Sequence, residues 1–204
     1  AKDAANNTSV AATQTLTIDT TAPSVAVSTD KSAGSYTVGE EINITLTFSE
    51  DVTLAGSAGL NVTLSTNDVI NITAAELNGV STVTKEYTVS ANDTSGALVV
   101  TGIALGTSAT LTDGVGNAAG LTPTANITTA IVIDTTSPGA VAITSSAADT
   151  SDSTPTITMT ADTGSTVKVS ANGTELGTAD EGTGNSAGTF TFTPADSAAL
   201  SDGN

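Results

Sequence analysis

Residues 41–49, EINITLTFS, constrain the fold more than any other part of the sequence. Ile42, Ile44, Leu46 and Phe48 occupy every second position, and polar residues stand between them. Because successive side chains of a β-strand point to opposite faces, this alternation predicts a strand with one buried face and one solvated face.

The same alternation recurs in shorter runs separated by Gly, Asn, Asp and Pro, which is typical of strands joined by turns. These runs are Leu60-Val62-Leu64, Ile70-Ile72, Val167-Val169 and Phe190-Phe192. We find no convincing helix, and a short turn at residues 74–77 is the one local candidate. Only 2 % of the residues are aromatic, so aliphatic side chains must fill the cores. We therefore predict an all-β protein made of tandem immunoglobulin-like antiparallel β-sandwiches.

A repeated heptad predicts where the domains begin and end. Residues 18–24 read IDTTAPS and residues 133–139 read IDTTSPG, and an Asp-x-x-x-Asn pattern precedes each of them at 3–7 and 113–117. The spacing of about 115 residues is that of a small domain. We expect residues 1–19 to be the terminal strand of a preceding immunoglobulin-like domain. Residues 20–134 would form a complete domain, and residues 135–204 part of a domain of a second repeat type.

The charge of the chain disfavours several classes of partner. Its net charge is −17, from 21 acidic residues against four basic ones, whereas nucleic acids and anionic membranes attract positive charge. No apolar run is long enough to insert into a membrane. The absence of His and Cys removes the commonest general bases and the thiol nucleophile, so we expect no enzymatic activity.

Acidic and amide side chains near the predicted strand ends suggest a Ca²⁺ site, because Ca²⁺ takes six to eight oxygen ligands. The candidate ligands are Asp19, Glu50, Asp113, Asn117 and Asp134. The alternative is that Asp and Asn occur there because they favour tight turns. The spacing matches neither an EF-hand nor the nonapeptide calcium repeat.

Several segments resemble the bacterial immunoglobulin-like (Big-type) tandem repeats of large RTX and biofilm-associated surface adhesins. They are VGEEINITLTFSEDVTLAG, LTDGVGNAAG, DTTAPS and TPTITMTADTGSTVKVSANGTELGT with GTFTFTP. The resemblance implies a structural extender that calcium stiffens at the joints between domains. It also implies neighbouring repeats as partners, export by type I secretion and a place on the bacterial cell surface.

Two other functions remain open from the sequence. Residues 54–78 could carry a glycan- or protein-binding site. The chain could also be the subunit of an extracellular fibre that exchanges strands between head-to-tail copies. In that case residues 10–18, ending in Leu16 and Ile18, would complete a neighbouring sheet. We expect the partial domain to leave an uncovered apolar face around Val167, Val169, Phe190 and Phe192.

Overall fold

A computed structural model describes residues 1–145, 152, 154–184 and 188–195. The chain divides into two compact units, Ala1–Thr135 and Thr136–Asn204, one residue after the predicted boundary. The described residues form β-strands, turns and irregular segments and no α-helix. In this part of the chain, no helix has the length and apolar character needed to cross a membrane. The predicted all-β class is confirmed.

The first unit contains ten strands, which form three hydrogen-bonded groups. One group has the order β1-β3-β6, with β9 pairing to β3, and the others have the orders β5-β4-β8 and β2-β10-β7. The strands are β1 (Val25–Thr29), β2 (Gly34–Tyr36), β3 (Glu41–Ala55), β4 (Leu60–Leu64), β5 (Val69–Ile72), β6 (Asn78–Thr88), β7 (Thr94–Ser95), β8 (Val100–Leu105), β9 (Thr110–Thr112) and β10 (Ile131–Asp134).

The pairing is antiparallel with one exception. Strand β10 pairs with β2 in parallel, with Ile131 opposite Gly34 and Ile133 opposite Tyr36. The prediction of an antiparallel arrangement is wrong for this pair. The sequence pattern shows which residues form strands, but it does not show in which direction distant strands align.

The alternation of residues 41–49 is confirmed. Ile42 and Ile44 are fully buried, and Thr47 on the opposite face is exposed. On that outer face the hydroxyl oxygens of Thr45 and Thr84 lie 2.8 Å apart across β3 and β6. The buried residues of the first unit form a single core to which all three strand groups contribute, which is the packing of a β-sandwich.

Strand β3 is longer than the alternating pattern indicates. Glu50 and Asp51 were expected to follow the strand, but β3 continues to Ala55. Its register against β6 shifts between Thr47 and Val52, as in a β-bulge. The pattern breaks at the bulge, so the sequence places the end of the strand too early.

The predicted turn at residues 74–77 is present in the structure. The Glu76 carboxylate accepts hydrogen bonds from the backbone N–H and the hydroxyl of Thr73, at 2.9 and 2.8 Å. This side chain closes the turn that connects β5 to β6.

The second unit is smaller and contains six strands among its described residues. They form the sheet β11-β12-β16-β15 and the pair β13-β14. The strands are β11 (Ala142–Ile143), β12 (Ile157–Thr160), β13 (Lys168–Ala171), β14 (Thr174–Thr178), β15 (Asp180–Glu181) and β16 (Thr189–Phe192). Residues 146–151, 153, 185–187 and 196–204 of the predicted partial domain lie outside the described part.

The predicted uncovered apolar face of the second unit is in the wrong place. Val167, Phe190 and Phe192 are buried together with Met159, and Val169 is half-buried. These side chains pack against one another across the two groups of strands, so they shield one another from solvent. Among the described residues of this unit, the exposed large apolar side chains are instead Val141 and Ile143.

Residues 10–18, expected to form a strand, form none in the structure. Val10 is 95 % exposed, Leu16 79 % and Ile18 78 %. A single strand needs a partner to satisfy its backbone groups, and these residues have none among the described ones. Their assignment to a preceding domain stays a prediction.

Candidate metal centre

Three of the predicted ligands meet at one end of the first unit. Glu50 lies in the bulged part of β3, Asp113 opens the turn after β9, and Asp19 lies in the segment before β1. One carboxylate oxygen from each of the three lies within 4.8 Å of the others. The fold thus gathers three acidic groups that are far apart in the sequence.

Backbone donors hold Asp113 in place. Its Oδ1 accepts hydrogen bonds from the backbone N–H groups of Val115, Gly116 and Asn117, at 2.9, 2.7 and 2.8 Å. Gly116 has φ = 102°, a conformation that glycine adopts with little strain. Asp113 is only 5 % exposed and is the one buried polar or charged side chain among the described residues.

Asn117 connects two members of the cluster by hydrogen bonds. Its Nδ2 donates to Asp113 Oδ2 at 2.7 Å and to the backbone carbonyl of Asp19 at 3.2 Å. The amide therefore joins the turn to the incoming segment. Its role as a direct ligand stays a prediction, while its contacts show a positioning role.

The electrostatics of the cluster differ between its members. Burial raises the pKa of Asp113, but the hydrogen bonds from Asn117, Val115 and Gly116 outweigh burial, and the net pKa is lowered. Burial, followed by the negative charges of Asp19 and Asp113, raises the pKa of Glu50 above its usual range. Burial and the neighbouring carboxylates thus disfavour the charged form of Glu50.

The remaining hydrogen-bonding capacity of the cluster belongs mainly to Glu50 and Asp19. Asp19 Oδ1 accepts the backbone N–H of Thr21 at 2.9 Å. No hydrogen bond or ion pair from the described residues reaches the Glu50 carboxylate. A cation would thus meet oxygen atoms that are not already engaged.

Asp134 does not join this cluster. It ends β10, opposite Thr94 of β7, and the hydroxyl of the next residue, Thr135, donates to the Asp93 carbonyl at 2.9 Å. Asp93 in turn accepts a hydrogen bond from Tyr87 of β6, which lies opposite Ile42 near the start of β3. Asp134 therefore lies at the other end of the unit from Glu50. Its role as a ligand rests on the sequence alone.

The chemistry of the cluster suits a hard cation. Its donors are carboxylate oxygens, the ligands that Ca²⁺ and Mg²⁺ prefer over nitrogen or sulfur. One oxygen from each of the three residues gives three ligands, fewer than the six to eight of Ca²⁺, so second carboxylate oxygens, water or carbonyl oxygens would complete the shell. The geometry shows that a metal ion could be held here and does not by itself select calcium.

Both Glu50 and Asp51 lie in the bulged part of β3, and Glu50 is the one that joins the cluster. The sequence predicted the three clustered residues. It did not reveal the contact between Asn117 and the backbone carbonyl of Asp19.

Comparison with known proteins adds no family assignment. No family model matches the sequence, and no curated protein matches it.

Proposed function

We propose that this chain is an extender segment of a large bacterial surface adhesin, built from tandem immunoglobulin-like domains. In this role it holds distal ligand-binding domains away from the cell, and calcium stiffens its joints. The observation that carries the proposal is the cluster of Asp19, Glu50 and Asp113 at the point where the segment before β1 meets the sandwich. Two of these residues belong to the folded body and the third to the repeated heptad.

The cluster gives a physical reason for calcium-dependent stiffness. Without a cation, three carboxylates within 4.8 Å repel one another, and the raised pKa of Glu50 reflects this repulsion together with burial. Repulsion loosens the segment that carries Asp19. A divalent cation removes the repulsion and ties this segment to β3 and to the Asp113 turn.

The alternative of a binding module in residues 54–78 gains no support. This region forms β4 and β5, and Leu60, Val62 and Leu64 point into the shared core. The buried faces of β4 and β5 thus help build the sandwich core and are not free for a ligand.

Calcium-dependent melting and hydrogen exchange test the proposal. We expect the melting temperature of the first unit to rise with Ca²⁺, because a ligand that binds only the folded state stabilises it, by about 2.7 kcal/mol at 100 times its Kd. The backbone amides of residues 17–22 should exchange more slowly with Ca²⁺ than with a chelator.

Glu50→Gln should abolish both responses. Glu41→Gln is the matched control, because Glu41 is exposed at the opposite end of the same strand. Identical melting and exchange with Ca²⁺ and with chelator would rule out calcium-dependent stiffening of this joint.

A further inference from the structure

The chain contains the same turn twice, once inside a complete sandwich and once outside any. Asn7 donates its Nδ2 to Asp3 Oδ2 at 2.9 Å, as Asn117 does to Asp113 at 2.7 Å. In both turns the Asp accepts the Asn backbone N–H on Oδ1, and the Asp N–H donates to the Asn carbonyl at 3.0 Å.

The residues that flank the two turns also correspond. An isolated antiparallel bridge joins Lys2 to Thr8 around the first turn and Thr112 to Ala118 around the second. An Ile-Asp-Thr-Thr sequence follows each turn, at residues 18–21 and 133–136. Residues 1–19 and 111–134 are thus two copies of one closing segment, and the first copy has five residues fewer between the turn and the Ile-Asp-Thr-Thr sequence.

The second copy closes the first unit in two steps. After the turn, the chain runs along the free edge of β1, where Thr124 N–H donates to the Val25 carbonyl at 2.7 Å and Val27 N–H donates to the Ala125 carbonyl at 2.8 Å. The chain then forms β10, whose Ile131 and Ile133 are buried. This segment therefore covers a sheet edge and part of the core.

The first copy has the same apolar pattern but covers nothing. Leu16 and Ile18 take the places of the buried Ile131 and Ile133, yet they are 79 % and 78 % exposed. Residues 8–18 carry no charge, so a docked strand would bury no ionised side chain.

The second unit exposes the surface that such a segment covers. Among the described residues, strand β11 is an edge strand that pairs with β12, and Ile143 lies opposite the buried Met159. Directly paired residues share a face of the sheet, so Ile143 stands on the core face although it is 70 % exposed.

The corresponding position of the first unit is covered. Val27 pairs with the buried Leu46 in the same way, but Val27 is 3 % exposed. A closing segment runs along β1, and none runs along β11 among the described residues.

We propose that residues 8–18 of one chain dock along the open edge of β11 in a second copy of the chain. Leu16 and Ile18 of the donor then cover Val141 and Ile143 of the acceptor. Donor and acceptor surfaces differ, so the contact is heterologous and propagates head to tail into a filament. This inference goes beyond the proposed extender function and requires no metal.

The charge of the chain sets a condition for the assembly. Each copy has a net charge of −17, so copies repel one another over about 8 Å at physiological ionic strength. The docked segment itself is uncharged. Assembly therefore strengthens with added NaCl as repulsion is screened.

Sedimentation velocity of the full chain in NaCl and chelator tests the proposal. The wild type forms species larger than dimers as its concentration rises. Leu16→Ser/Ile18→Ser disables the donor, Ile143→Ser disables the acceptor, and each raises the concentration needed for assembly at least tenfold. Thr15→Ser/Thr17→Ser, on the opposite face of the donor strand, and Val38→Ser, at an exposed apolar residue of the first unit, leave assembly unchanged.

A mixing experiment makes the test specific. The donor-disabled chain retains its acceptor and the acceptor-disabled chain retains its donor, so an equal mixture yields a one-to-one dimer that does not grow. Circular dichroism verifies that all variants are folded. A wild type that stays monomeric up to about 100 μM, or a mixture without dimers, overturns the proposal. The contacts of a filament need a dissociation constant of about a micromolar or below.

Discussion

The hydroxyl of Tyr87 donates a 2.7 Å hydrogen bond to Asp93 Oδ2, which also accepts the backbone N–H of Ser90 at 2.7 Å. Tyr87 is 4 % exposed, so its ring belongs to the core while its hydroxyl closes the loop after β6. One aromatic residue thus links the sandwich core to the loop that leads into β7.

Tyr87→Phe tests this link. We expect the free energy of unfolding of the first unit to fall by about 1 kcal/mol, the usual net value of one hydrogen bond, because the ring packing stays while the donor is lost. Urea denaturation measures the change. An unaltered midpoint would mean that water replaces the hydroxyl at Asp93 without cost.

Glu50→Gln should raise the melting temperature when no cation is present, whereas it should abolish the stabilisation by Ca²⁺. In chelator at pH 7 we expect a higher melting temperature, because the substitution removes one of three repelling charges. The raised pKa of Glu50 means that its charged form is disfavoured in the fold, so the advantage of Gln exists above that folded pKa. It should vanish as the pH falls and Glu50 itself becomes protonated. An equal advantage at every pH would point to packing as the cause.

Glu76 offers the reverse pH dependence. Lys85 Nζ lies 2.7 Å from its Oε1, and this contact, followed by the Thr73 hydrogen bonds, lowers the pKa of Glu76 to about 2. Its stabilising contribution is therefore complete above the unfolded pKa and is lost as the pH falls through about 2.

Glu76→Gln should cost less than about 1 kcal/mol at neutral pH, because the pair is partly solvated, and nothing near pH 2. The matched control is Glu175→Gln, which breaks the more exposed Lys168–Glu175 pair at 3.0 Å. Its effect at neutral pH should be within about 0.5 kcal/mol of zero. A larger loss for Glu175→Gln than for Glu76→Gln would contradict this ranking by exposure.

Gly106 and Gly102 should respond differently to alanine. A Cβ on Gly106 would collide with the backbone carbonyl of Ala58, whereas one on Gly102 would have no heavy atom within 4 Å. We expect Gly106→Ala to cost about 1–3 kcal/mol, the range for forcing extra volume into a packed site, and Gly102→Ala to be close to neutral. Chemical denaturation compares the two, and equal effects would show that the Ala58 loop yields freely.

The sequence predicts local features well where a single face is buried. The alternation through Ile44 and Leu46 leaves no other register, because a slip by one residue would expose the whole apolar set. Asp19, Glu50 and Asp113 were among the five candidate ligands because they lie near predicted strand ends, but the sequence did not separate them from Asp134, which lies elsewhere.

What the sequence could not predict depends on long-range pairing. The bulge between Thr47 and Val52 has no residue signature, yet it decides that Glu50 lies in a strand. The burial of Phe190 and Phe192 was missed because a partial domain was assumed to leave its core face open, whereas the strands pack into a small core of their own. Ile143 is exposed although it lies opposite the buried Met159, and its sequence pattern alone does not indicate this.

The parallel pairing of β2 with β10 has a mechanical consequence for a chain that carries load. The chain enters the sandwich at the start of β1 and leaves it after Asp134, at the opposite end. Tension between these points pulls β2 and β10 past each other along their length. Because this force acts along the strands and not across them, the hydrogen bonds of the pair are loaded together and must break together. We expect the unit to resist stretching in shear, where a hairpin pulled from one end would open bond by bond.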